Sequence, residues 1–135
     1  AICSVTIGVR NREAIFADHQ AASLAVAVLQ GHATRRGVPL YGFCVMPDHV
    51  HLVVGPSPDF DIIAFVAEFK NLAQRAVWQL GNSGPIWQAS FWDRFLRTDE
   101  QLEPLLRYIM NNPVRAGRVA DPAEYPFCAV TGLAH

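Results

Sequence analysis

His49 and His51, in Met46-Pro47-Asp48-His49-Val50-His51, stand two positions apart in a run that reads as a β-strand. Side chains at i and i+2 of a strand share a face. Both imidazoles therefore project together, while Val50, Leu52 and Val54 turn the other way, into the core. A neutral imidazole is a good ligand for Mn²⁺, Zn²⁺ or Fe²⁺, whereas Mg²⁺ prefers oxygen. Two protein ligands leave positions free for substrate oxygens and water, as a Lewis-acid centre requires. The spacing alone decides little, because a bare His-x-His is more often a pair of solvent-facing or aromatic-stacked side chains.

Tyr108 is the second candidate. It falls near the end of an expected helix, beside Arg107, and Asn112 follows four residues later. Positions i and i+4 share a helical face, so the phenol and the amide would address one point, and the Asn112 oxygen would complete a His49-His51-Asn112 ligand set. Pro113 disfavours α conformation at Asn112 and is expected to loosen the last turn. A phenol, with a pKa of about 10, is a poor nucleophile at neutral pH until a base, a cation or a metal helps remove its proton. Its attack on a phosphodiester yields a phosphotyrosine, itself a phosphodiester, so rejoining needs no ATP. A metal would polarise and orient the phosphate. Without the histidines, a helix tyrosine is far more often a packing residue at a core edge. The other two tyrosines read as structural, Tyr41 opening a strand and Tyr125 anchoring the tail.

Further residues offer phosphate or base contacts. Lys70, Gln74 and Arg75 follow one another along a helix, and Arg115 and Arg118 lie just past the tyrosine helix. An exposed helix face is the plain alternative for the first group. Trp87 and Trp92 flank Gln88, and unpaired bases stack well on such rings, although tryptophans in a domain of this size are more often core. Asp48 reads as a turn residue in preference to a partner orienting His49.

The elements that must position these groups follow from periodicity. Residues 2–9 alternate and are β-branched, as in a strand. Asp18 caps an Ala- and Leu-rich helix to about residue 33. Residues 38–45 and 49–54 form two strands joined at the tight Pro47-Asp48 break. Asp59 or Asp61 caps a helix over 62–80, with apolar residues at spacings of three and four. Residues 90–96 suit a fourth strand, and Thr98-Asp99-Glu100 begins a helix through Tyr108 towards Asn112-Pro113. The order β-α-β-β-α-β plus a C-terminal helix carrying the tyrosine predicts an α+β, ferredoxin-like (RRM-like) antiparallel sheet in one domain, residues 1–135.

Composition bounds the function. Of the 135 residues, 51% are hydrophobic, which supplies a core and argues against disorder. No run approaches the roughly 20 apolar residues of a membrane span. The N-terminus has no secretory pattern and reads as a strand that begins abruptly, so native residues are expected upstream. Three widely spaced cysteines, Cys3, Cys44 and Cys128, fit neither a disulfide framework nor a Cys-based zinc site, and a reducing cytoplasm is the expected setting. The net charge of −1 is low for a phosphate binder. Residues 70–118 nevertheless hold seven basic and four acidic side chains. Six of those seven are arginines, shaped for bidentate phosphate contact.

Tyr41-Gly-Phe-Cys-Val-Met-Pro-Asp-His-Val-His-Leu-Val-Val54 resembles the HUH motif region (His, bulky hydrophobe, His) of IS200-like single-tyrosine transposases. Ile86-Trp87-Gln88, Phe91-Trp-Asp-Arg-Phe-Leu-Arg97 and Tyr108-Ile-Met-Asn-Asn-Pro-Val-Arg-Ala-Gly117 resemble the REP-associated tyrosine transposase branch, as does the Glu124-Tyr-Pro-Phe127 tail. The resemblance implies a DNA transposase and endonuclease that cleaves and rejoins single-stranded DNA near hairpins through a 5′-phosphotyrosine. It assigns Tyr108 as nucleophile and His49 and His51 as ligands of Mg²⁺ or Mn²⁺. Asn112 takes the third-ligand position, where classical relatives tend to use glutamine. Lys70, Arg75, Arg115 and Arg118 are then expected to meet DNA. Such a protein works as a monomer or a homodimer. A domesticated relative that binds structured DNA without cutting it is the alternative, and a His-based metal hydrolase of small substrates is a third.

Overall fold

Alternation along the first strand decides which side chains reach the site. In the computed structural model, which describes residues 2–97 and 101–131, β1 (Cys3–Gly8) buries Cys3, Val5 and Ile7. Its even positions, Ser4, Thr6 and Gly8, face the opposite way. β2 (Leu40–Met46) and β3 (His49–Val54) form a hairpin in which Met46 pairs with His49 across the two-residue Pro47-Asp48 turn. That turn is fastened from both sides: the Phe16 N–H donates to the Pro47 carbonyl at 3.0 Å and the Val9 N–H to that of Asp48 at 2.9 Å. With β4 (Trp92–Phe95) and β5 (Cys128–Val130), the sheet runs β4-β1-β3-β2-β5, antiparallel throughout. The first four strands stand in the predicted ferredoxin-like arrangement.

One face is closed by two helices. α1 (His19–Arg36) is capped by Asp18, whose carboxylate accepts from the Gln20 N–H, and ends at Gly37 with φ 64°. α2 (Ile62–Trp78) is capped by Asp61, the second of the two expected candidates. Its buried stripe of Phe65, Val66, Phe69, Ala73 and Val77 joins Ala22, Ala25 and Leu29 of α1 over Val5, Ile7, Val50, Leu52 and Val54.

The other face is only half roofed. α3 (Leu102–Met110) sets Leu106 and Ile109 on Cys44, Met46 and Val53. Gly42 permits this seat, since a Cβ there would lie 2.7 Å from Leu106 Cδ2 and 3.0 Å from Val130 Cγ1. The expected start of this helix at Thr98-Asp99-Glu100 lies outside the described residues.

Two features depart from expectation. The tyrosine helix stops at Met110, and a separate turn, α4 (Asn112–Arg115), follows Asn111. Pro113 has no N–H for the Ile109 carbonyl, which instead lies 3.7 Å from Cys128 Sγ, while the Arg115 guanidinium donates to the Tyr108 carbonyl at 2.8 Å. Tyr108 and Asn112 thus lie on two consecutive turns of chain, not on one unbroken helical face. The chain then returns as β5, an edge strand absent from the predicted order. Glu124-Tyr-Pro-Phe127 does act as an anchor: Phe127 is buried and the Tyr125 hydroxyl donates to the Val45 carbonyl at 2.5 Å. No helix among the described residues is long and apolar enough to cross a membrane.

Candidate functional site

The open half of the second face is a strip of the residues that the strands turn outward. Register sets Trp92 beside Thr6 and Arg94 beside Ser4, then Thr6 beside His51 and Gly8 beside His49. A cavity of about 890 Å³ lies between this strip and α3. Ser4, Thr6, His51, Trp92, Arg94 and Tyr108 line it. The two sequence candidates of greatest interest, a histidine of the pair and the helix tyrosine, therefore share one cavity within one chain. Tyr108 is 56% exposed there.

Each imidazole is oriented by a different neighbour. His49 Nδ1 lies 2.8 Å from Asp48 Oδ1. A carboxylate only accepts, so Nδ1 carries a proton and Nε2 is the nitrogen turned away from Asp48. Asp48 is thus both a turn residue and the partner of His49, contrary to the preference for the turn alone. His51 Nε2 lies 3.0 Å from Ser4 Oγ. Burial pushes the His51 pKa down to about 4, helped by repulsion from His49, Arg115 and Arg94. At neutral pH this ring is uncharged, the form in which imidazole binds a metal.

Asn112 stands apart from this readiness. Its Oδ1 accepts from the Arg115 guanidinium. The same guanidinium lies 3.7 Å over the Tyr108 ring. One arginine therefore ties the nucleophile candidate to the third-ligand candidate, a link sequence spacing did not show. Among the described residues no group of three or more His, Cys, Asp or Glu side chains converges on a metal position. Two imidazoles on one face of β3 fit a divalent first-row ion in chemistry and placement. Arg115 engages one of the two lone pairs of the Asn112 oxygen, the atom a third ligand would offer.

The remaining candidates divide. Lys70 donates its Nζ to the Gln88 carbonyl at 2.7 Å, and Gln74 Oε1 accepts from the Ile86 N–H at 3.0 Å. Those side chains hold the 86–88 segment against the fold, and burial lowers the Lys70 pKa. Arg75 and Arg118 are exposed, and neither lines the cavity at Tyr108. Trp87 is core, with its ring 5.5 Å from that of Phe16 and 5.8 Å from that of Phe69. Trp92 is 77% exposed. Sequence reasoning passed over Ser4, Thr6 and Arg94 as site residues. The signal was the alternation of β1 itself, whose polar or small positions share a face.

Comparison with known proteins bears on the family and the fold. The model of the family described as IS200-like transposases matches residues 3–112. A Haemophilus influenzae protein assigned as a REP-associated tyrosine transposase is 30% identical over 95 residues, covering 62% of this chain. The chain spans about half of that relative, 54% of its length. The REP-associated tyrosine transposase of Escherichia coli K12 is 26% identical over 125 residues, covering 90% of this chain and 72% of the relative. Among solved structures, a REP-associated tyrosine transposase bound to a REP hairpin superposes with a TM-score of 0.79 at 25% identity. That match covers 94% of this chain and 74% of the other. A Deinococcus radiodurans protein assigned as a transposase shares the fold, with a TM-score of 0.62 at 24% identity over 82% of this chain and 89% of its own.

Proposed function

The chain belongs to the IS200-like transposase family, and on that premise we propose that it cleaves and rejoins single-stranded DNA near hairpins, with Tyr108 as nucleophile. The observation that carries the reading is the cavity that Tyr108 shares with His51, Ser4 and Arg94. The Tyr108 hydroxyl attacks the phosphorus; its O–P bond forms as the bond to the 3′ oxygen breaks. The phenolic proton ends on the leaving 3′ oxygen, and the 5′ phosphate stays on the tyrosine. Reversal with a second 3′ end rejoins a strand.

His49 and His51 would hold Mg²⁺ or Mn²⁺, with Asn112 as third ligand once Arg115 turns to the phosphate. When bound, the ion supplies the positive charge that polarises the scissile phosphodiester. Asp48 fixes the His49 tautomer and Ser4 the His51 ring. Arg115 holds the Tyr108 ring by its face. Arg94 supplies a guanidinium to the substrate backbone beside the histidines, and Lys70, Arg75, Arg115 and Arg118 extend the phosphate contacts. Because Tyr108 and His51 of one chain line one cavity, the geometry supports cleavage within a monomer, with a homodimer not required.

Incubation with a hairpin oligonucleotide and Mn²⁺ is expected to give a covalent protein–DNA adduct that is lost with chelator and with Tyr108→Phe. An undiminished adduct from Tyr108→Phe would refute the assignment. One observation favours the second reading, a binder of structured DNA that does not cut: Arg115 occupies the Asn112 oxygen. Hairpin affinity with no adduct under any divalent ion would establish it.

A further inference from the structure

Trp92 is the most exposed of the large hydrophobic side chains among the described residues, at 77%. It stands on β4 within the site, away from any apolar cluster. It lines two cavities. One is the 890 Å³ space with Tyr108, His51 and Arg94. The other, of about 250 Å³, contains His49, Asp48, Arg12, Gly8 and Gln88. The indole, like Thr6, thus borders both the space that contains His51 and the space that contains His49. Drug-sized ligands occupy roughly 300–1,000 Å³, so the smaller cavity suits one ring system.

Its walls are built for such a ring. Gln88 lies over Gly8, where a Cβ would come within 2.6 Å of Gln88 Oε1. The Gln88 backbone is held from both ends, its N–H donating to the Gly8 carbonyl at 2.9 Å and its carbonyl accepting from Lys70 Nζ. Arg12 follows Asn11 in a turn where both take left-handed φ, 54° and 57°, a conformation that costs a non-glycine residue energy and gathers at functional sites. Asp48, the cavity's acidic residue, is paired to His49.

We propose that Trp92 is a stacking platform for one unpaired base of the DNA strand next to the phosphate at the histidines, with the Gln88 amide facing the edge of that base. The inference rests on single-stranded DNA being the substrate. Aromatic stacking accepts any base face, and a glutamine amide adds donor and acceptor contacts to its edge. Arg94 and Arg12, one in each cavity, are placed to take the phosphates on either side.

The test uses the full chain and a fluorescein-labelled hairpin with a single-stranded tail, each tail base removed in turn to leave an abasic sugar. Binding is read by anisotropy in chelator, where cleavage does not intervene. One tail position is expected to weaken wild-type binding roughly 5- to 100-fold when its base is removed. Trp92→Ala should weaken the intact probe by a similar factor and become indifferent to that position, while Trp92→Phe restores the sensitivity. Gln88→Ala should keep the sensitivity and flatten preference among the four bases there. The proposal is overturned if no tail position matters to wild type, or if Trp92→Ala binds as wild type does with the same positional profile. Adduct formation with Mn²⁺ on the same probes separates the two readings. The stacking pattern without adduct leaves the platform standing and removes the nuclease; adduct with an unchanged profile in Trp92→Ala does the reverse.

Discussion

On the helix-backed side of β3, Val50, Leu52 and Val54 are fully buried beneath α1 and α2. One residue out of step, His49 and His51 stay partly exposed on the other side, between Asp48, Ser4 and the cavity below α3. One parity of this strand is thus core throughout, while the other opens at His49 and His51 and closes again at Val53, which is buried beneath α3. The two imidazoles are instead oriented by polar neighbours, His49 by Asp48 and His51 by Ser4. Stability and chemistry should consequently separate cleanly by parity.

The largest separation is expected from Tyr108→Phe, which should abolish the adduct and leave the thermal midpoint unchanged, because the ring and its Arg115 contact remain. Leu52→Ala should do the opposite. It should cost about 2–5 kcal/mol in urea unfolding, with adduct yield per folded molecule unaltered below the midpoint. Asp48→Asn keeps the turn but removes the carboxylate from His49, and should weaken Mn²⁺ affinity roughly 10- to 100-fold by calorimetry with little change in stability. Gly42→Ala would blur the contrast. By lifting Leu106 it should cost about 1–3 kcal/mol and also lower adduct yield, since the tyrosine helix shifts with its seat.

The smallest effect concerns His32, which is 2% exposed and whose Nε2 donates to the Phe65 carbonyl at 3.1 Å. Burial holds its pKa below the ordinary imidazole value. The unfolded chain therefore binds this proton more readily than the folded one. Its contribution to stability is complete above about pH 6.5 and falls as the pH drops from there towards the lowered native value. Urea midpoints at pH 7.5 and 5.5 should differ less in His32→Gln than in wild type; an equal difference would assign the loss to other groups.

Much of this was legible in the sequence because it depends on local rules. Asp18 announces the first helix, Asp59 or Asp61 the second, Pro47-Asp48 the hairpin, and the i, i+2 spacing the shared face of the histidines. β5 was not legible: Cys128–Val130 is three residues long and becomes a strand only because β2 offers an edge. The parity of β1 was readable, yet the partners of Ser4 and Thr6 depend on register with β3 and β4, which no local pattern supplies. The Tyr108–Asn112 relation was only half legible. Pro113 marked the disturbance, but the Arg115 bridge across the break is a tertiary contact. Trp87 and Trp92, alike in sequence, separate because α2 covers one through the Lys70 carbonyl, 2.9 Å from Trp87 Nε1, and leaves the other on an edge strand.

The seat of α3 has a consequence for motion. Buried Cys44, Met46, Val53, Leu106 and Ile109, with partly buried Leu102, Leu105 and Val130 packed around them, hold this helix to the sheet, against the larger cluster beneath α1 and α2. A unit resting on so little apolar surface opens at a free energy well below that of global unfolding. Amide hydrogens of residues 102–110 should then exchange through a local opening while those of β1 and β3 wait for the whole domain. The tyrosine would ride on the least secured layer of the molecule, free to leave the histidines and return without disturbing them.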